Sequence, residues 1–397
     1  MTVEAMSRGA RMVEVSEEDL CVVLARAVGG GALEKTCTDL ATEGKDQEVC
    51  EALVGALKGG DYLRKNLADA ESGASILAHA IAKLGGSRCD ALAPKFVGAV
   101  TGAGLGSTEE GAQAALSALV RAYNTFPPHS RARYSTLLST LAYAAETQRT
   151  SGVAAALKGK VEVVKREHKL EGDDLRAFLL ALSGVHASAS KESFGILMEY
   201  LTSFGGDAAA IKRDASAPKV AKRAVSELLA TPDHFKCDFA DAVAAIAGVD
   251  SSLGKVNSLM QLLVKGDVKE AKKFCAGAGK STLKELGVTE EQCIDKVRLL
   301  ALAAIGVESQ KRQGGEVSYS DVRTSLEIGE GEVEPWLIKA IGLKILEGRM
   351  DQLHQVFKVQ KVVHQTFSNL EWDSLKDRLS GMHSSMCDVQ TKLKTRK

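Results

Sequence analysis

The sequence predicts a mainly α protein: a right-handed helical-repeat solenoid, then a winged-helix module, then a C-terminal amphipathic helix. Three observations carry this reading. The 397 residues hold only six prolines and 5% aromatics, a mix that suits helices and starves a β-sandwich or barrel. Helical patterns of about a dozen residues recur up to Thr289, separated by short Gly, Ser and Pro breaks. After Thr289 the order becomes helix, strand, helix, helix, hairpin, which is that of a winged helix, and a heptad-patterned helix follows.

Residues 1–15 are polar and mixed, and are expected to form a flexible tail. Helices are predicted over 18–28, 47–58, 61–70, 74–84, 90–100, 109–124, 130–147, 153–169 and 172–187. Six more are predicted over 190–204, 217–230, 236–247, 252–265, 267–276 and 281–287. Gly29-Gly30-Gly31, Gly59-Gly60, Gly85-Gly86, Pro127-Pro128 and Gly205-Gly206 mark the stops. No clean period runs through them, so the repeat is degenerate. The expected division is a tail over 1–15, a solenoid over 16–289, a winged helix over 290–367 and an assembly helix over 368–397.

Within the winged helix, a helix over 290–306 leads to a short strand at Glu316–Tyr319. Helices at 320–327 and 332–343 follow, with Pro335 tolerated in a first turn. Phe357, Val359 and Val363 alternate with Lys358 and Val362, as in a half-buried strand. This wing strand is expected at a sheet edge. Val356, Lys358, Gln360 and Val362 would then offer unpaired backbone groups to a partner, with Lys358 and Lys361 as guards.

In the last thirty or so residues, Trp372, Leu375, Leu379, Met382, Met386, Val389 and Leu393 recur at spacings of three and four. That is the a/d seam of a heptad repeat. Ser368 and Glu371 form a capping box at its start, and Lys392, Lys394, Arg396 and Lys397 suit its C-terminal end. A narrow seam of this kind either folds back on its own chain or meets another helix.

Net charge is zero and the pI is near 7.1, which argues against a surface coated in phosphate-binding charge. Local basic clusters exist at Lys158, Lys160, Lys165, Arg166 and Lys169, and again at Lys212, Arg213, Lys219, Lys222 and Arg223. Such runs are usually solvated helix faces; direct contact with RNA is the sharper reading. The helix equivalent to a DNA reader's recognition helix is approached through Glu327, Glu330, Glu332 and Glu334, and those carboxylates repel phosphate. DNA binding is not expected.

Eight cysteines form no C-x-x-C pair, so a reducing setting and buried thiols are expected rather than disulfides or zinc. No apolar run approaches the length of a membrane span. The stretch Cys275–Thr282 imitates a phosphate loop, but Phe274 stands where its first glycine belongs and a helical pattern precedes it. Gly102–Gly106 imitates a dinucleotide turn with Ser107 in place of the third glycine. His234-x-x-Cys237 and His383-x-x-x-Cys387 each offer two metal ligands where a structural zinc needs four. No nucleophile, base and orienting-acid set appears. No catalytic residue, metal or cofactor is expected.

Lys296-Val297-Arg298-Leu299-Leu300, Glu332-Val333-Glu334-Pro335-Trp336, Met350-Asp351-Gln352 and Thr366-Phe367…Trp372 resemble the PCI domain. Upstream, Arg133-Tyr134 and Ala230…Phe235-x-Cys237-Asp238 do so too. PCI domains occur in scaffold subunits of the proteasome lid, the signalosome and translation initiation factor 3, and the words point to the last. The likeness is good over about 290–375, fair over 130–290 and faint before that. It implies a non-catalytic, cytoplasmic scaffold that joins other initiation factor 3 subunits through its winged helix and terminal helix. That scaffold would support binding of the small ribosomal subunit, with ribosomal RNA as a further contact. A signalosome scaffold of similar build and a stand-alone RNA-binding adaptor are the alternatives.

Overall fold

The computed structural model describes residues 17–394 apart from 60–61, 66, 103, 187–189, 312–314 and 365–368. The expected tail at 1–15 lies outside the described residues. The chain divides into two compact units, Met1–His186 and Ala187–Lys397, inside the stretch expected as one solenoid. The sequence there, His186-Ala187-Ser188-Ala189-Ser190, has no large apolar side chain with which to join a core.

The first unit contains α1 (Glu17–Thr42), α2 (Asp46–Gly59), α3 (Tyr62–Lys65), α4 (Leu67–Leu84), α5 (Gly86–Gly102), α6 (Glu109–Thr125), α7 (Arg131–Glu146), α8 (Ser151–Leu157), α9 (Val161–Glu167) and α10 (Gly172–Val185). α2 packs on α5, α4 on α6, α5 on α7 and α7 on α10. Packing on a helix further along, as well as on the chain neighbour, makes a helical-repeat stack. Two expectations differ in detail. Gly30 does not end a helix; its left-handed φ of 71° kinks α1, and the helix resumes. Conversely, the helix expected over 153–169 breaks into α8 and α9 at Gly159, where φ is 73°.

Helix starts follow the expected chemistry. Ser130 accepts from the Arg133 amide to open α7, and Thr108 accepts from the Gly111 amide to open α6. Beside them, Arg133 lies 4.5 Å over the Tyr123 ring and pairs with Glu167, while Tyr134 donates to the Asp174 carbonyl. The Arg133-Tyr134 pair thereby ties α6, α7, α9 and α10 together.

The second unit begins with α11 (Lys191–Thr202), α12 (Ala208–Arg213), α13 (Ala217–Ala230), α14 (Ala240–Val249), α15 (Gly254–Lys265), α16 (Val268–Ala276) and α17 (Lys280–Leu286). The phosphate-loop mimic is the turn from α16 to α17, as its residues suggested. Then come α18 (Glu290–Lys311), β1 (Glu316–Ser318), α19 (Tyr319–Leu326), α20 (Val333–Gly342), β2 (Leu346–Asp351), β3 (Val356–Val362) and α21 (Asn369–Lys394). The three strands form an antiparallel sheet in the order β1-β3-β2. The fold is a helical-repeat solenoid leading to a winged helix and a terminal helix, as the pattern predicted.

α18 is the shared wall of the second unit. It packs on α13, α15 and α16 on one side, and on α19, α20, β1 and β3 on the other. Its sequence explains this: Cys293, Val297, Leu299, Leu300, Ala301, Leu302 and Ala303 are all buried, so the helix is apolar around its circumference. The sheet reaches it because position 306 is glycine. A Cβ there would fall 2.6 Å from Leu346 Cδ2 and 3.1 Å from Val362 Cγ2. Gly306→Val is expected to cost about 1–3 kcal/mol by overpacking, read as faster limited proteolysis within 312–364 while the first unit resists as before.

Two histidines are held neutral in these cores. Burial pushes His168 below its ordinary 6.5, against the Tyr134 ring, and does the same to His234, stacked 4.3 Å from the Phe194 ring. The unfolded chain takes up these protons near pH 6.5 and the native chain does so only at lower pH. Stability is therefore present above 6.5 and is lost on acidification, at most about 1.4 kcal/mol per pH unit for each histidine. Urea midpoints at pH 7.5 and 5.5 check this; His234→Gln is expected to flatten the difference for the second unit.

Candidate functional site

The surface with functional promise lies on the winged helix and α21, and it rests on a polar node around α18. Lys296 is 2% exposed, and its ammonium donates to the carbonyls of Thr231 (2.6 Å), Pro232 (3.2 Å) and His234 (2.7 Å). It also sits 4.7 Å over the Phe235 ring. Burial pushes its pKa down to about 7. About half a turn along α18, Trp336 of α20 is flanked by Arg298 at 5.2 Å and Lys339 at 4.5 Å. Lys339 pairs with Asp295 at 2.7 Å, and Arg298 donates to the Leu326 carbonyl. These contacts hold α19 and α20 on the helical stack.

The wing differs from expectation. β3 is the central strand, so Val356 and Lys358 are flanked by strands on both sides, while Gln360 and Val362 lie beyond the end of β1. Val356 and Lys358 face Ser318 and Glu316 of β1 on one side, and Asp351 and Arg349 of β2 on the other. Val362 faces Leu346, and the Gln360 carbonyl accepts from Gln310 of α18. Lys358 and Lys361 are cross-strand partners of Glu316 (3.1 Å) and Glu347 (3.0 Å) rather than edge guards. Chain order hid this, because the last strand of a winged helix inserts between the two earlier ones. The outer strands are β1 and β2, and β1 is too short to cover the end of β3.

Around the wing the structure shows what the sequence reading missed. Leu353, at the β2–β3 turn, is 88% exposed, and Met350 and Ile338 are exposed as well. Gln352 donates to Glu334 at 3.0 Å, which holds the turn against the start of α20. A leucine inside the polar turn Asp351-Gln352-Leu353-His354 was the available signal.

On α21, Leu379, Met382, Met386 and Val389 are 58%, 58%, 65% and 57% exposed. The helix and its spacing are as predicted, and this part of the seam faces solvent. The side chains of Trp372, Leu375 and Leu393, and the capping box at Ser368, lie outside the described residues.

Of the basic clusters, Lys165 pairs with Glu162, Lys222 with Glu285 and Arg223 with Glu227, which moderates the charge offered to phosphate. A cavity of about 680 Å³ in the first unit is lined by Cys21, Cys37, Cys50 and His79 among others. Burial pushes the Cys50 thiol up to about 12, so it is no nucleophile. Among the described residues no three His, Cys, Asp or Glu side chains gather to hold a metal, and no helix is long and apolar enough to cross a membrane.

A helical stack that shares one wall helix with a three-stranded winged helix defines a class, and residues 280–361 match the PCI domain family. The chain carries a PCI domain. Its curated relatives are named eukaryotic translation initiation factor 3 subunit M. The protein of that name from Nematostella vectensis is 28% identical over 201 residues, 51% of this chain and 50% of the relative. Those from Dictyostelium discoideum and Phaeosphaeria nodorum are 24% and 25% identical, over 70% and 71% of this chain and 67% and 63% of theirs. The chain thus spans about half to two thirds of the length of the relatives it matches.

Proposed function

We propose that the chain is a non-catalytic scaffold subunit of a translation initiation factor 3 assembly, corresponding to subunit M and acting in the cytoplasm. The observation that carries this is the solvent-facing apolar seam of α21 directly after a PCI match. Exposed large apolar side chains in a row mark a surface that a partner covers. In this reading Trp372, Leu375, Leu379, Met382, Met386, Val389 and Leu393 meet helices of sibling subunits. The outer strands and the wing turn at Leu353 meet a neighbouring winged helix, and residues 16–289 support the body that sits on the small ribosomal subunit. The division at 289/290 and 367/368 belongs to the same proposal. The name carried by the curated relatives supports the assembly.

The test is mass spectrometry of what co-purifies with the tagged full-length chain in gentle salt, compared with a truncation ending at Phe367. Initiation-factor subunits with the full chain and their loss from the truncation are expected. Signalosome subunits with the full chain, or no partners at all, would overturn the proposal.

A further inference from the structure

Cys275 and Cys293 are both free and wholly buried, and their sulfurs lie 3.7 Å apart in hydrogen-bond contact. Cys275 is the second-last residue of α16 and Cys293 the fourth of α18, two helices packed on each other. A single buried cysteine behaves as a small hydrophobe. Two thiols in contact across two helices are a dithiol, and the fold already brings them together as a disulfide requires. Neither residue takes part in the seam, the wing or the contacts of Lys296.

We propose that Cys275 and Cys293 are a reversible, peroxide-sensitive dithiol, which closes to a disulfide and fastens the wall helix of the winged helix to the helical stack. The oxidant is a small hydroperoxide. The Cys275 thiolate attacks one peroxide oxygen: a sulfur–oxygen bond forms, the O–O bond breaks, and the departing hydroxide takes the proton that Cys275 gave up and leaves as water. The Cys293 sulfur then attacks the sulfenic acid on Cys275. The S–S bond forms, the S–O bond breaks, and the hydroxide leaves with the Cys293 proton as a second water. Two thiols are oxidised and one peroxide is reduced to two waters. Contact with Cys293 pulls the Cys275 thiol below its ordinary value, while that contact and burial push the Cys293 thiol up. Cys275 therefore attacks and Cys293 resolves.

Position decides both access and consequence. α16 has nine residues and leads into the turn Gly277-Ala278-Gly279. Opening of its last turn, rather than of the whole unit, brings a water-sized oxidant to Cys275. Closure takes the sulfurs from 3.7 Å to about 2.05 Å, a small movement for two side chains on neighbouring helices. The bond encloses α17 and its flanking turns, and the freedom it removes from the unfolded chain stabilises the second unit. In a reducing compartment such a bond is transient and registers oxidation. This does not depend on which partners the chain has.

The experiment takes the reduced full-length chain, caps exposed thiols such as Cys387 with iodoacetamide in the folded state, and adds hydrogen peroxide. Trypsin then releases Phe274–Lys280 and Glu285–Lys296 with one cysteine each, so the disulfide is read by mass spectrometry as a linked pair. That pair is expected as the main product, and dithiothreitol is expected to dissolve it. Trp336 and Trp372 both lie in the second unit, so tryptophan fluorescence follows its unfolding. Oxidation is expected to raise the thermal midpoint by about 5 °C or more. Cys275→Ala and Cys293→Ala are each expected to cancel both changes, and if either fails to fold, the linked pair in the parent still decides. Both thiols recovered reduced, sulfinic acid at Cys275 in place of the pair, or a linked pair without a raised midpoint overturns the proposal.

Discussion

Lys296→Met is expected to destabilise the second unit by about 2–5 kcal/mol, the largest effect of any single substitution considered. A buried ion pair can often be exchanged for apolar residues at little cost, because both charges leave together. Here the partners are backbone carbonyls and cannot leave. The Thr231 carbonyl keeps the His234 amide as a second donor, but those of Pro232 and His234 lose the ammonium that reaches them. Each carbonyl stranded without a donor costs roughly 1–3 kcal/mol, and relief of the lysine's own desolvation offsets only part of that. The segment they belong to joins α13 to α14, and Lys296 is on the wall helix of the winged helix. Loosening it therefore detaches the platform from its stack. Urea unfolding followed at Trp336 is expected to shift to lower midpoint, with the first unit's transition unmoved. An unshifted midpoint would mean that water satisfies the loop and that Lys296 is dispensable.

That node also shows what the sequence made legible. The Lys296–Leu300 run and the Ala230–Asp238 stretch are separate motifs in the sequence, with Lys296 more than sixty residues from the carbonyls it reaches. In the fold they are one contact: the lysine of the first plugs the carbonyls of the second and covers Phe235. The Glu332–Trp336 run joins them through Arg298 and Lys339. Helix periodicity and caps could be read because they are local, so α6, α7 and α13 fall almost where expected. Strand order is not local. Nothing in the spacing of Val356, Lys358, Gln360 and Val362 says whether one neighbour or two flank β3, and the register alone reveals Glu316 and Glu347 as the lysine partners. Gly30 was ambiguous for a related reason: a left-handed glycine can end a helix or only bend it, and the packing of both halves of α1 decides. Leu353 is hard to weigh from sequence because a turn rich in polar residues reads as solvent-facing whatever its one apolar member does.

Leu379→Glu with Met386→Glu is expected to remove the chain from its assembly while leaving both units folded. The two side chains are more than half exposed in the isolated chain, so charging them breaks no internal packing, and stability is expected to stay within about 0.5 kcal/mol per site. In a helix–helix seam the account reverses. Each apolar side chain buried against a partner is worth about 1.5–3 kcal/mol, and a carboxylate in its place must be desolvated. Two such losses total about 3–6 kcal/mol, or roughly 10²–10⁴ in affinity. The control is Ser384→Glu with Gln390→Glu, which adds the same charge off the seam and is expected to retain partners. Binding of both variants to the purified remainder of the complex, with melting curves alongside, separates the outcomes. Release by the seam pair alone would place the interface on the heptad stripe. Equal release by both pairs would make charge on α21, rather than its apolar seam, the governing quantity, and retention by both would move the interface to the winged helix and its wing.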